Sequence, residues 1–522
     1  MSTTVPIAGP DLFQQARDKI KSFEELADTV TAARAHGKSV VLCHGVFDLV
    51  HLGHVRHLEA ARREGDFLVV TVTADSFVNK GPGRPVFPEQ LRAEMVASIG
   101  CVDCVGISSD ATAEGAIRKL RPDVFVKGAE YENAEADVTG NITKEVKAVE
   151  SVGGRIAYTN DLVFSSSTLL NRHFKIYESE LEEYLAKARR EGMLTRLLAL
   201  IDCIKNKRVL LVGDAIIDQY DYVDPMDRSA KENIIANNYR TTELFAGGVF
   251  AAANHIASFV SQVDIVTTLG GKDSHEDFIR GALKPNVRLN VVVRQGAPTT
   301  RKVRFVERAY IRKLFEVYYM DDDPLRVDEQ RQIDAMVAER AANADVVIVT
   351  DFGHGLIASS TVNVLTRESR FLAVNAQTNG ANRGFNLITK YSKADYICID
   401  APEARLATAD RYSPIEDVTG RLLPAAINCG RFIITHGRYG CVAFDSQTGL
   451  NRVPAFTKSV VDTVGAGDAF LAVTSPLAAS AAGMELVACI GNAAGAMQVG
   501  VVGHRVSVDK AALVKFLTAL LK

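Results

Sequence analysis

Twice in 522 residues a short apolar run stops at a glycine and a turn, and a helix-spaced pattern follows. The first stretch is KSVVLCHGVFDLVH, residues 38 to 51, and the second is RVLLVGDAIIDQY, residues 208 to 220. A brief aliphatic run bounded by glycine reads as a strand buried on both faces. A strand that feeds a helix opens a βαβ unit of a parallel sheet. Two such openings, each followed by further strand and helix signals, predict an α/β chain of two large domains. Length alone suggests roughly three domains, and the strong α/β patterning allows two large ones instead.

The first opening carries HGVFDLVHLGH, residues 44 to 54. After the strand, Val55 and Leu58 fall at helical spacing, Gly65 stops the helix, and Phe67 to Val72 form a second buried strand. His51 and His54 are three apart at the helix start, so their side chains share a face that looks into the crevice at the strand ends. Unpaired N–H groups and the helix dipole favour a phosphate there, and Gly53 lets it approach the backbone. A lone histidine would read as a cap or a surface residue. The pair, the glycine and the preceding strand together read as a phosphate site.

GVFDLVHLGHVRHL resembles the signature of the cytidylyltransferase-like nucleotidyltransferases, with His51, Leu52, Gly53 and His54 as its His-x-Gly-His motif. GRPVFPEQLRAEM (83 to 95), RPDVFVKGAEY (121 to 131) and SSST (165 to 168) resemble the later motifs in order, and Val-Lys-Gly at 126 to 128 is most like the adenylyltransferase of bifunctional heptose enzymes. The resemblance implies a Rossmann-like domain in which a sugar phosphate attacks the α-phosphate of a nucleotide and expels pyrophosphate. Because the attacking group is already an anion, the protein supplies position and positive charge rather than a nucleophile. It implies that His51 and His54 hydrogen-bond the α-phosphate. Lys80 and Lys127 would neutralise phosphate oxygens together with Mg2+, and Ser166, Ser167 and Thr168 would offer hydroxyls and N–H groups at a helix start. Asp48 matches the family's aspartate, or else forms an Asx turn. Arg92 matches its motif arginine, but Leu91 stands where glutamine is common, which leaves ATP or CTP open. Ahead of this domain, Ser22 and Glu25 spell a capping box.

Net charge of −3 and a sequence pI near 6.4 leave no basic stripe for nucleic acid. The N-terminus lacks a basic segment followed by an apolar run, so a cytoplasmic protein is expected. Eight cysteines include one C-x-x-C pair, Cys101 and Cys104, which reads as small core residues because a zinc ribbon needs a second pair. The apolar stretch 465 to 503 is interrupted by Asp468, Pro476 and Glu485, and suits two tightly packed core helices rather than a membrane span. Residues 174 to 207 form a charged amphipathic connector. Tyr177, Leu181, Tyr184 and Leu185 make its seam, and Gly192 divides it. It should pack on a domain or on a second copy, and a homodimer is expected.

In the second half the decisive phrase is DTVGAGDAF, residues 462 to 470. Gly465, Ala466 and Gly467 make a turn whose N–H groups face an anion, and Asp468 follows on the helix that begins there. A carboxylate beside such a hole can take a hydroxyl proton while the hole holds the phosphoryl group in flight. With VGDAIID, AGGVFAAANHIAS, LGGKD, TDFGHG, ITHGRYG and VDTVGAGDAF in order, residues 208 to 522 resemble the ribokinase-like, PfkB-type carbohydrate kinases. PTTRKVRF (298 to 305) and the Arg228/Glu232 spacing lie closest to heptose-7-phosphate kinases. The resemblance implies a small β lid, Asp468 as base, and Thr435, Gly437, Gly440 and Asn492 along the ATP cleft. It places Asp218, Arg228, Gly247 and Gly248 at the acceptor sugar, Lys302 and Arg304 on an acceptor phosphate, and Asp400 and Glu403 at magnesium. Three departures stand out: Ala251 replaces an asparagine, Asn375-Ala376-Gln377 replaces Asp-Pro-Lys, and Asp400 opens a motif that begins with asparagine.

The expected organisation is therefore lead-in helices at 1–38, a nucleotidyltransferase at 39–173, a helical connector at 174–207 and a sugar kinase at 208–522. The expected activity is a bifunctional heptose-type kinase and sugar-1-phosphate nucleotidylyltransferase, with its domain order reversed from the usual enzyme. The rivals are a CTP-dependent polyol-phosphate transferase fused to a kinase of another acceptor, or to a non-catalytic kinase-like sensor.

Overall fold

The computed structural model describes residues 12–78, 84–110, 112–128, 141–159, 177–229, 231–321, 323–380, 382–457 and 459–522. The chain divides into two compact units, residues 1–178 with 514–520 and 522, and residues 179–513 with 521.

The first unit holds β1 (Ile20–Lys21), β2 (Val40–Gly45), β3 (Phe67–Thr73), β4 (Cys104–Ser108), β5 (Val124–Gly128) and β6 (Arg155–Thr159) in the order β1-β4-β3-β2-β5-β6. All neighbours are parallel. Alternate residues of β2 go to opposite faces, Val41 and Cys43 into one apolar cluster and Val40 and Leu42 into the other. That is why the strand reads as an unbroken apolar run. The chain moves outward through β3 and β4, then returns to place β5 on the other side of β2. The order therefore reverses at β2, and a crevice opens at its carboxyl end. The helix Leu52–Arg62 begins at that crevice. The expected Ser22/Glu25 capping box is present, with Glu25 N–H donating to Ser22 Oγ (3.3 Å) and Ser22 N–H to the Glu25 carboxylate (2.9 Å). Cys104 is buried and Cys101 packs against the core.

The second unit has β7 (Arg208–Gly213), β8 (Ala215–Arg228), β9 (Ile235–Gly248), β10 (Gln262–Lys272), β11 (Val287–Pro298), β12 (Thr300–Glu307), β13 (Arg312–Tyr319), β14 (Val346–Asp351), β15 (Leu372–Ala376), β16 (Tyr396–Asp400), β17 (Arg431–Thr435), β18 (Cys441–Asp445) and β19 (Gly449–Val453). Nine of them form one sheet, β11-β10-β7-β14-β15-β16-β17-β18-β19, which reverses direction of growth at β7/β14. The other four form a lid sheet, β13-β12-β8-β9. Connections between the sheets are short. β7 enters β8 through Asp214 alone, β11 enters β12 through Thr299 alone, and β9 ends where the helix Val249–Ile256 begins.

The helices Ala466–Ala478 and Met484–Gln498 pack tightly, as their small residues predict. A Cβ on Gly491 would lie 2.5 Å from the Phe470 ring and 2.6 Å from the Thr474 methyl. The connector forms the helices Ser179–Arg190 and Met193–Cys203 around a left-handed Gly192, φ 62°. Its seam of Leu181, Tyr184 and Leu185 is buried on this unit, with Tyr184 6.3 Å from the Phe456 ring and Lys187 3.1 Å from Glu485. Among the described residues no helix is long and apolar enough to cross a membrane.

Candidate functional site

Each unit places a polar constellation where its sheet order reverses. In the first unit His51 is the N-cap of the helix Leu52–Arg62, and its Nδ1 accepts the Gly53 N–H at 3.1 Å. His54 reciprocates, its Nδ1 accepting the His51 N–H at 3.3 Å. The rings lie 4.1 Å apart. A nitrogen that accepts from a backbone N–H carries no proton, so each neutral ring bears its hydrogen on Nε2. Capping and phosphate binding therefore coexist: one nitrogen fixes the ring, and the other is a donor of set orientation.

Three neighbours have jobs other than those the sequence assigned. Asp48, assigned to nucleotide, is buried and accepts the Val86 (2.6 Å) and Phe87 (3.3 Å) N–H groups beside Arg84 (3.5 Å), so it shapes the following loop. Arg92 is fully buried, its guanidinium spent on the carbonyls of Phe87 (2.8 Å), Thr73 (2.8 Å) and Val46 and on Asp75. It welds the loop after β2 to the end of β3. Lys127 pairs with Glu145 at 2.8 Å, so an incoming anion competes with that carboxylate. His44, at the end of β2, sits between Thr71 (2.9 Å) and Thr73 (3.3 Å), and burial, with help from Lys127, pushes it down to about 3. It is a neutral strut. Lys80, Ser166, Ser167 and Thr168 lie outside the described residues.

In the second unit Gly465 caps the helix Ala466–Ala478 at φ 82°, and Asp468 stands in its first turn. Asp468 is buried, and its Oδ1 has no partner among the described residues. Burial, opposed by His504 and reinforced by Asp218, pushes its carboxyl up to about 6. Asp218 faces it from the lid. Burial alone would raise Asp218, but His504 (3.4 Å) and Arg304 override it and hold the carboxyl well below the usual range. Gly247 is required there, since a Cβ would lie 2.0 Å from Asp218 Oδ2. Gly248, at φ 52°, passes 2.8 Å from the Asp214 carbonyl by the same measure.

The lid cations divide. Arg304, assigned to an acceptor phosphate, is committed to Asp218 and to Glu316 (3.2 Å). Lys302 is buried between the Tyr318 and Phe352 rings, 5.2 and 5.5 Å away, and burial lowers its pKa. Arg228 does not join them. It is exposed at the far end of β8, about 30 Å of strand beyond Asp218.

Thr435 ends β17, and a tight turn follows with Gly437 and Gly440 at φ 53° and 84°. Asn492, assigned to the ATP cleft, spends Nδ2 on the carbonyls of Val453 and Pro454 (both 3.0 Å) and anchors that wall. Asp400 and Glu403 form a capping box: Glu403 accepts the Thr378 (3.2 Å) and Asp400 (3.1 Å) N–H groups, and Asp400 Oδ1 accepts the Glu403 N–H (2.8 Å). Burial and then the neighbouring Asp400 push the Glu403 carboxyl upward. Two carboxylates held this close welcome a cation, and magnesium takes only one or two carboxylates beside water and phosphate oxygens. The pair fits magnesium through Asp400 Oδ2, although no group of three or more metal-ligating side chains occurs among the described residues.

Sequence reasoning missed His504, His354 and the cluster below them. His354 is buried with neither ring nitrogen partnered among the described residues, and burial, then Lys302, pushes it down to about 3. Asp214, pushed up to about 6 by burial and Asp351, accepts the Phe352 N–H at 2.8 Å. Asp351 is held by Lys390 and by Tyr391 (2.6 Å). TDFGHG flagged this turn, but nothing local announces His504.

A nine-stranded α/β sheet with a strand lid, and a carboxylate at a glycine-capped helix start, define a sugar-kinase class. The chain belongs to the pfkB family of carbohydrate kinases, whose profile matches residues 206–511. A cytidylyltransferase-like profile matches residues 42–173. Among curated relatives, Bifunctional protein HldE of Syntrophotalea carbinolica is 40% identical over 164 residues, covering 31% of this chain and 32% of that protein. The protein of that name from Gluconobacter oxydans is 43% identical over 147 residues, covering 28% and 29%. The matched stretches fall in the N-terminal ~30% of the chain. The chain thus spans about a third of the length of the curated relatives it matches. Phosphofructokinase-2 from Escherichia coli, in a structure with potassium, aligns at TM-score 0.50 and 17% identity over 60% of this chain and 100% of that one, a likeness of fold.

Proposed function

We propose that the chain is a bifunctional, cytoplasmic enzyme of nucleotide-activated sugar synthesis. Its second unit phosphorylates a heptose-type sugar or sugar phosphate at the anomeric hydroxyl with ATP. Its first unit joins the 1-phosphate to a nucleotide, adenylyl in preference to cytidylyl. The transferase precedes the kinase, the reverse of the usual order.

The observation that carries the reading is Asp468, a buried carboxylate with an unpartnered oxygen at a glycine-capped helix start. The acceptor hydroxyl gives its proton to Asp468 as its oxygen bonds to the γ-phosphorus and the bond to the ADP oxygen breaks. N–H groups of Gly465 to Gly467 hold the transferring oxygens. In the transferase a 1-phosphate oxygen attacks the α-phosphorus and pyrophosphate leaves, while His51 and His54 donate from Nε2 to the charge in motion. Magnesium, when bound near Asp400, supplies charge neutralisation on the phosphate oxygens.

The test is product mass. Full-length protein is given candidate sugars with ATP or CTP, and a phosphorylated sugar followed by a nucleotide sugar is expected. ATP binding without any phosphorylated product across a broad panel would favour the sensor reading.

A further inference from the structure

The second unit contains a buried histidine that none of its motifs assigned. His504 lies in the turn after the helix Met484–Gln498, with its side chain only 5% exposed. The turn is held in place: Gln498 donates to the Gly503 carbonyl at 2.7 Å, and Gly503, at φ 52°, donates its N–H to Asp462 at 3.0 Å. These bonds fix the backbone that carries the ring.

Its two nitrogens have different surroundings. Nε2 is 3.4 Å from Asp218 Oδ2. Nδ1 is buried and has no partner among the described residues. That nitrogen lies against the anion-hole turn, since a Cβ on Gly465 would fall 2.7 Å from Nδ1 and 2.4 Å from the adjoining Cε1. Only a glycine admits the ring at that distance. An imidazole edge over the first residue of a phosphoryl-holding turn, with its other end tied to a carboxylate, is a donor aimed at an anion.

We propose that His504 is a catalytic residue of the kinase. As an imidazolium anchored through Nε2 to Asp218, it donates Nδ1–H to an oxygen of the transferring phosphoryl group and completes the hole begun by Gly465 to Gly467. This rests on the kinase reading above. His504 keeps its proton throughout. The acceptor oxygen bonds to phosphorus, the bond to ADP breaks, and the hydroxyl proton goes to Asp468.

The charged and titratable groups facing His504 are Asp218 on β8, Arg304 on β12, Asp468 on its helix and His255 on the helix Val249–Ile256. His255 is pushed down to about 3 by burial and then by His504, and its Nδ1 accepts the Val508 N–H at 3.0 Å, so it stays neutral. Burial alone would lower His504, but Asp218 and then Asp468 overcome it, and the net direction is upward. The imidazolium is thus present below its raised pKa and is lost as pH rises through it. Asp468 sets the opposite limb. Lys302, on β12, is held between the Tyr318 and Phe352 rings. His504 is the cation at the glycine turn itself.

The experiment has two readouts on full-length protein. The first needs no sugar: selectively 15N-histidine-labelled protein is given ADP, magnesium and aluminium fluoride as a mimic of the phosphoryl group. A slowly exchanging, downfield Nδ1 proton on His504, absent in His504→Gln, is expected. An unchanged His504 signal in protein that has bound the mimic overturns the proposal. The second is turnover on any sugar the wild type accepts. His504→Gln should lower kcat by about two orders of magnitude with the KM for ATP unchanged, and should erase the alkaline limb of the pH profile while keeping the acid limb. Equal kcat, or an alkaline limb that persists at the same midpoint, overturns it. Wild-type protein that phosphorylates nothing sinks the kinase reading, whereas the sugar-free spectrum still decides His504.

Discussion

On the proposed function the two units solve one problem, holding a phosphate in transfer, from opposite directions. In the first, both donors come from one helical turn, and each ring is fixed by the backbone of the other's segment. In the second, Asp468, Asp218, Lys302, Arg304 and His504 converge from a helix, two lid strands and a late turn. A local device is specified by a few adjacent residues. A convergent one depends on the whole sheet order, and its members can change one at a time.

The contrast can be broken at several points. Asp468→Asn keeps shape but removes the base, so sugar phosphorylation should fall by about a hundredfold to ten-thousandfold while ATP binding, followed by calorimetry, persists. An unchanged rate would dissolve the convergent site. Arg92→Met should destabilise the first unit by about 3 kcal/mol, because buried carbonyls of three segments lose their donor. Denaturant midpoints measure it, and lost nucleotidyl transfer at full stability would return Arg92 to the nucleotide. His51→Ala or His54→Ala should slow pyrophosphate release by about two orders of magnitude and leave kinase turnover intact. Coupled loss of both activities would mean the sites are not separate. The pH dependence is smaller over the working range. With Asp468 as the proposed base and its carboxyl pushed up to about 6 by burial, kinase kcat/KM should drop about tenfold per unit below that value. A profile flat to pH 5 would contradict it. Ser22→Ala, which removes only a helix cap, should cost about 1 kcal/mol in the first unit and nothing in rate.

Much of this was legible in the chain. Both sheets announced themselves through runs such as VVLC and VLLV, because strands covered on both faces need no polar alternation. The histidine pair and the glycine-turn aspartate were legible because their geometry is set within four residues. Arg92 and Asp48 were misjudged for the same reason in reverse: their motif is local, but their partners, Val46, Thr73 and Val86, are brought in by the fold. Arg304 looked like a phosphate ligand until Asp218 was placed beside it by the parallel register of β12 on β8, in which Lys302 pairs with Asp218. His504 follows Asp468 by a whole helix pair, and no spacing rule connects them.

Three short joints at one end of the lid, two to the main sheet and one to a helix, carry a mechanical consequence. Gly248, Asp214 and Thr299 stand at the same end of three adjacent lid strands, with Ala215 paired to Gly248 and Ile216 to Thr300. They form a row of pins, and a plate pinned along one row can swing about it but hardly slide or twist. Asp218 and Lys302 lie about 10 Å from the row, whereas Arg228 lies about 40 Å out. A tilt that carries the outer edge through a wide arc thus moves the sugar-facing carboxylate and lysine by only a quarter as much. The reacting end of the lid stays in register with the turn at Gly465 while its far edge is left to do the travelling.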